Sequence, residues 1–290
     1  MKKTTLFLLT AALLLGLTAC TNSTDETSPE KGKRTIEFRV TNFQQVSLDE
    51  VTRATAATNL AHLDMAVYDA ETNALVCKTQ MGKDDEGYGS FSATLDYGTY
   101  NVVLLGYDGK YTADMSKPTD IGFDQNYVPN FFYKTLALTV SATSENTQNV
   151  VLKRGVAAFR LKHEGYIPTT LKTISVTGTG GGYRFNALTG FATQTAERVA
   201  NLDMSSVLGK TSFTLTTYTF LPSEEATMNF VIRATDTANK ELQTRTFNDV
   251  PMKINQMSIY SGQFFDSGNQ TLGFSLTLES DEWDEENQTF

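Results

Sequence analysis

The sequence predicts an all-β protein built of β-sandwiches. Three observations carry that expectation. Short segments with apolar residues at alternate positions recur at about 8–12-residue spacing, with turn residues between them. Thr and Ser are abundant and aromatic residues make up 11% of the 290-residue chain, a composition suited to strands. No segment carries a clear amphipathic helical stripe; the weak helix candidate is 196–208.

The first element is not a strand. Lys2 and Lys3 precede the apolar run Leu6–Leu17, which falls short of the ~20 residues that span a bilayer. Thr18 and Ala19 then lead into Cys20. Residues 1–19 read as an export signal. Residues 20–33 are polar, with one proline and one glycine, and read as a flexible linker.

Strand patterns follow in order. Ile36, Phe38 and Val40 alternate within Arg34–Val40. Leu63, Met65 and Val67 alternate next, and Asp69–Asn73 turns the chain into Ala74–Gln80. Met81–Gly87 is a charged turn before Phe91–Leu95, and Asp96-Tyr97-Gly98 leads into Tyr100–Tyr107. Asp108–Asn130 reads as a long irregular connection. Strand pattern returns at Phe132–Val140 and Asn149–Lys153.

The second half repeats the style at Val156–Lys162, Leu171–Thr177, Tyr183–Phe185, Phe213–Phe220, Met228–Ala234, Leu242–Phe247, Met257–Phe265 and Leu272–Leu278. Val150–Phe159 runs without a turn signal except Gly155, so it reads as the last strand of one domain entering the first of the next. The expected organisation is a sandwich over 34–154, a second over 155–280, and an acidic tail over 281–290.

Charge narrows the function classes. Lys2 and Lys3 leave with the signal, which takes the formal charge from −9 to −11. A chain this acidic argues against nucleic acid and against charge-driven binding to anionic membranes. Cys77 stands alone once Cys20 is accounted for, in a strand pattern that suits a small buried hydrophobe better than a reactive thiol.

Catalytic patterns are weak throughout. His62 and His163 lie far apart, in no metal-type spacing, and read as rim histidines. Gly178-Thr179-Gly180-Gly181-Gly182 is followed by a strand-like segment, not by the helix start a phosphate loop needs, so it reads as a loose turn. The acidic end, with Trp283 inside it, lacks the spacing of a calcium loop. These readings point to no enzyme, no cofactor and no metal.

Leu17-Thr18-Ala19-Cys20 resembles the bacterial lipobox, in which the cysteine thiol receives lipid. One acyl chain anchors weakly, whereas lipoproteins of that type carry two or three, such as palmitate. Asp25 and Glu26 resemble the acidic surface-export signal of Bacteroidetes lipoproteins. With the lipobox, four further segments resemble the FimA/FimB-type fimbrillin superfamily of Bacteroidetes. They are Leu63–Asp69, Leu95–Val103, the run Val151–Ala157, and Ile259–Phe265.

That resemblance implies two tandem transthyretin-like (Greek-key) β-sandwiches and a fimbrial (pilus) subunit, anchor or tip protein in cell adhesion at the outer membrane. It implies as partners the membrane through lipid, other fimbrial subunits by β-strand addition, and host or bacterial surface ligands. It also implies processing at an arginine before the body of the first domain. Arg53, followed by Ala54, fits. Cutting there would remove the strand of Ile36, Phe38 and Val40 and open a groove, and Leu272–Leu278 alternates in a way that suits the donor. The alternative is an outer-membrane glycan-binding lipoprotein accessory to a polysaccharide transporter, drawing on exposed aromatics among Phe131-Phe132-Tyr133 and Trp283.

Overall fold

The computed structural model describes residues 32–44, 60–265 and 273–279, which fall within one compact unit, Lys31–Phe290. Among them the only helices are two single 3-10 turns, at Asp124–Asn126 and Ser205–Val207. The strands of the first half are β1 (Lys33–Gln44), β2 (His62–Asp69), β3 (Leu75–Gly82), β4 (Ser90–Asp96), β5 (Gly98–Tyr107), β6 (Ile121–Gly122), β7 (Phe131–Val140) and β8 (Thr147–Arg154). Those of the second are β9 (Ala157–Glu164), β10 (Leu171–Thr179), β11 (Arg184–Asn186), β12 (Phe191–Ala192), β13 (Arg198–Asp203), β14 (Ser212–Thr219), β15 (Glu225–Asp236), β16 (Glu241–Lys253), β17 (Met257–Gly262) and β18 (Ser275–Glu279).

Seven strands of the first half form one hydrogen-bonded sheet, in the order β3-β2-β5-β7-β8-β1-β4. The sheet folds back on itself at β7–β8, which share only the pairs Phe132–Arg154 and Tyr133–Lys153. Alternate residues from both sides of that corner fill one core: Ile36 and Phe38 of β1 and Phe91 and Leu95 of β4 meet Leu63 and Met65 of β2 and Val102 and Leu104 of β5. Period-2 alternation selects these side chains, because successive residues of a strand point to opposite faces.

The second half has two four-stranded sheets, β13-β10-β15-β16 and β14-β9-β17-β18. Between them lie Phe159, Leu161, Val176, Leu215, Phe230, Ile232 and Phe247. A third core joins the halves. It takes Tyr68, Val103, Leu105 and Tyr107 from the other face of β2 and β5, Ala158, Tyr218, Met257 and Ile259 from the other face of β9, β14 and β17, and Phe220 from just after β14. β2 is therefore buried on both faces from Leu63 to Tyr68. A strand covered on both sides needs no polar face, which is why β2 is apolar from Leu63 to Tyr68 except at Asp64.

The long connection 108–130 is part of this third core. Met115, Ile121, Phe123 and Val128 are buried in it, and β6 pairs with β11 of the second half. Gly155 and Val156 link β8 to β9. A Cβ on Gly155 would stand 2.9 Å from the Tyr133 ring, so glycine permits the close approach at this link.

Two expectations are corrected. The 196–208 segment is no helix: Arg198–Asp203 is the edge strand β13, of which only Leu202 is buried. Its covered face carries Arg198, Ala200 and Leu202, of which only Leu202 is a large apolar residue, so little alternation is left to read. Phe131, Phe132 and Tyr133 are not exposed aromatics but buried, with Phe132 in the first-half core and its two neighbours in the third core. The structure also adds β12, which is too short to leave a pattern.

Candidate functional site

The sequence singled out two strands and a short set of residues. Cys20, Arg53 and Ala54 lie outside the described residues, as do Trp283 and the rest of the tail. Arg53 falls in the 45–59 segment, between the end of β1 and the start of β2.

β1 is enclosed on both edges. It pairs antiparallel with β4 from Lys33–Asp96 to Arg39–Ser90, and parallel with β8 from Glu37–Thr147 to Gln44–Lys153. Its inner face is sealed: Ile36 and Phe38 are fully buried and Val40 nearly so. Thr35 Oγ1 and Thr94 Oγ1 add a 2.8 Å cross-strand hydrogen bond on the outer face. Taking this strand away would leave two facing ladders and an apolar floor, a slot shaped for another strand.

β18 is the opposite case. Among the described residues it is the edge of its sheet and pairs with β17 alone, from Met257–Glu279 to Ser261–Ser275. Its residues alternate Ser275-Leu276-Thr277-Leu278, yet Leu276 and Leu278 are 43% and 47% exposed. The alternation that sequence suggests for a packed strand is present, and among the described residues no core covers it. Phe274, just before it, packs on Phe247 with ring centroids 5.0 Å apart.

The other singled-out residues have structural positions. Cys77 lies in β3, partly buried, and burial pushes its thiol pKa up, away from reactivity. His62 stacks on Tyr107 with centroids 4.9 Å apart, and its Nε2 lies 3.1 Å from the Gly109 carbonyl. His163 is corrected: it is fully buried, not at a rim. Its Nδ1 accepts the Phe264 N–H at 2.9 Å and its Nε2 lies 3.2 Å from the Tyr166 carbonyl. Desolvation holds its pKa below the ordinary value, so the neutral ring persists. The glycine run makes the connection between β10 and β11, with Gly180 at a φ of +102°. Among the described residues no group of three or more His, Cys, Asp or Glu is placed to hold a metal ion.

Two polar features, one buried and one partly exposed, had no sequence signal. Asp64 in β2 is fully buried; its Oδ2 accepts hydrogen bonds from Gln80 Nε2 and Tyr107 Oη, both at 2.8 Å. Burial raises its pKa against the pull of those donors. Arg184 of β11 clamps the long connection: its Nε and Nη2 donate to the two carboxylate oxygens of Asp120 at 2.9 Å each. The pair holds the Asp120 pKa down, with Arg184 hydrogen bonding the leading cause. Sequence spacing cannot show either, since the partners lie 43 and 64 residues apart.

A family model described as a family of unknown function (DUF6562) matches residues 110–289. No curated protein matches the sequence. Among solved structures, a candidate adhesin from Bacteroides ovatus is similar at 12% identity, over 82% of this chain and 88% of that one, with a TM-score of 0.50. A candidate polysaccharide-binding protein (DUF1812) from Bacteroides thetaiotaomicron is similar at 11% identity, over 88% and 99% of the two chains, with a TM-score of 0.50. The fimbrial anchor protein Mfa2 from Porphyromonas gingivalis aligns over 86% and 98% at 10% identity, with a TM-score of 0.45. At these identities the likeness is one of fold.

Proposed function

The chain belongs to the family of unknown function DUF6562 and has a fimbrillin-like fold, and from these we propose that it is a surface adhesin-type protein: a fimbrial subunit, anchor or tip protein assembled by β-strand exchange. The observation that carries the reading is the arrangement of β1. It is a separable N-terminal strand, enclosed by β4 and β8, with its apolar face in the core and Arg53 following shortly after its end. A cut after Arg53 frees β1 and opens its slot. β18, with its alternating leucines uncovered, is the donor for the slot of another copy.

The reading includes two tandem transthyretin-like domains, 34–154 and 155–280, after a signal at 1–19 and a linker at 20–33. Cys20 carries the lipid that holds the unprocessed chain at the outer surface of the outer membrane. Processing at Arg53 removes lipid and β1 together. A copy that keeps β1 stays moored, as an anchor does; a copy that loses it polymerises. No catalytic step is assigned. For the transporter-accessory reading, the rings of Phe131, Phe132 and Tyr133 are buried and offer no exposed aromatic surface, while Trp283 lies outside the described residues.

Limited trypsin treatment of the purified chain tests the proposal. A new N-terminus at Ala54 and a ladder of detergent-resistant oligomers are expected. Arg53→Ala should remain monomeric, and a chain truncated after Phe274 should be cut but not polymerise. A wild-type chain that keeps β1 and stays monomeric sinks the polymerising role and leaves the anchor or tip role.

A further inference from the structure

Between the two halves lies a cleft of about 270 Å³, lined by Tyr133, Lys153, Thr189, Gly190, Phe191 and Glu224 with a few neighbours. Clefts where two halves of a chain meet are frequent ligand sites, and this volume sits near the lower end of the ~300–1,000 Å³ usual for them. It suits one ring, not a chain of them.

The fold leaves much of this lining unused. Phe191 is half-buried, belongs to none of the three cores, and stacks on no other ring among the described residues. Lys153 Nζ lies 5.1 Å from the centroid of the Tyr133 ring. Lys153 and Glu224 form no ion pair within 4 Å among the described residues, although Lys253, bridged to Glu225, is near enough to feel the charge of Glu224. The Tyr133 hydroxyl likewise has no hydrogen-bond partner among them. Gly190, at a φ of +84°, keeps room beside that hydroxyl, because a Cβ there would collide with it.

A ligand for this lining must accept from an ammonium, donate to a carboxylate, and lay an apolar face on an aromatic ring. Arg154 also lines the cleft, but it is buried with its guanidinium 4.8 Å over the Phe132 ring. Of the charges that remain, an anion meets Glu224 and a cation meets Lys153, so a fixed charge of either sign is disfavoured. Sugar hydroxyls donate and accept at once, and the C–H face of a pyranose is apolar. We propose that the cleft binds a single neutral hexose unit of a glycan, with Phe191 as its stacking platform and Lys153, Glu224 and the Tyr133 hydroxyl as its polar contacts. For its biological use the proposal rests on the adhesin reading, to which it supplies a ligand class.

The test is amide NMR on the uncut, ¹⁵N-labelled full chain, titrated with the methyl glycosides of glucose, galactose and mannose, and with glycerol as a non-cyclic control. At least one glycoside should give saturable shifts at Gly190, Phe191 and Asn255, with a Kd of the order of millimolar for so small a ligand. Phe191→Ala should weaken that binding about five-fold or more, and Lys153→Met and Glu224→Gln should each weaken it measurably. Phe191 stands outside the cores, so the variant keeps the spectrum of the folded chain. The absence of saturable shifts from every glycoside overturns the proposal. Equal shifts with glycerol, or binding unchanged in Phe191→Ala, overturn it too. Because the chain is uncut, failure here leaves strand exchange untouched, and failed polymerisation leaves this site untouched.

Discussion

β1 and β18 are both amphipathic strands near the ends of the described chain, and they are held in different ways. β1 is gripped by two ladders and by a core that takes Ile36, Phe38 and Val40. Among the described residues β18 is held by one ladder, and Leu276 and Leu278, on the same sheet face as Tyr260, stay 43% and 47% exposed. Backbone hydrogen bonds alone add little net stability, since a released strand regains them with water. Burial of apolar side chains contributes most of the difference. The same sequence pattern therefore marks one strand packed into a core and one left half exposed.

The largest expected effect is at β1. Phe38→Ala should cost about 3–5 kcal/mol, the usual range for truncating a buried Phe, measured by urea unfolding. A loss under about 1 kcal/mol would mean that β1 is loosely held and would erase the contrast.

His163 gives a smaller, pH-dependent effect on the β18 side, since its Nδ1 holds Phe264 just before the segment leading to β18. Its folded pKa is depressed below the ordinary 6.5. Its contribution to stability is thus complete above about pH 6.5 and is lost as pH falls from there through the folded value. Each tenfold weakening of proton binding in the folded state corresponds to about 1.4 kcal/mol of that loss. Comparing urea midpoints at pH 7.5 and 5.5, the fall in wild type should be larger than in His163→Asn, which cannot charge. Equal falls would remove His163 as the cause.

Truncation after Phe274 deletes β18 and should change the thermal midpoint by no more than the equivalent of about 1 kcal/mol, because ladder bonds and ordering entropy nearly cancel. Cooperative loss of the second-half core on truncation would show that β18 is structural and not a donor. The smallest effect belongs to Leu278→Ala, expected within about 0.5 kcal/mol as for other exposed positions. A cost comparable to Phe38→Ala would place Leu278 against a surface that the described residues do not include.

Much of this contrast was legible and part was not. The Ile36-Phe38-Val40 alternation located β1 and named its buried face. The equally regular Leu276 and Leu278 located β18, but periodicity reports that a strand has an apolar face, not that a surface waits to cover it. The run Phe131-Phe132-Tyr133 misled for a related reason. Consecutive aromatics look like a surface patch, yet they sit where β7 is buried on both faces. Arg198–Asp203 hid because its covered face presents Arg198, Ala200 and Leu202, with only one large apolar residue. Of the candidate site, Lys153, Phe191 and Glu224 form no motif in sequence and meet only in the fold.

The sequence by itself determined the all-β class, most strand positions and the apolar faces of the strands, because these follow from the two-residue period of an extended chain. Only the tertiary structure decided the parallel pairing of β1 with β8, the third core between the halves, the buried Asp64 and His163, and the cleft. Each depends on contacts between residues far apart in the chain, where local periodicity carries no information about which face meets which.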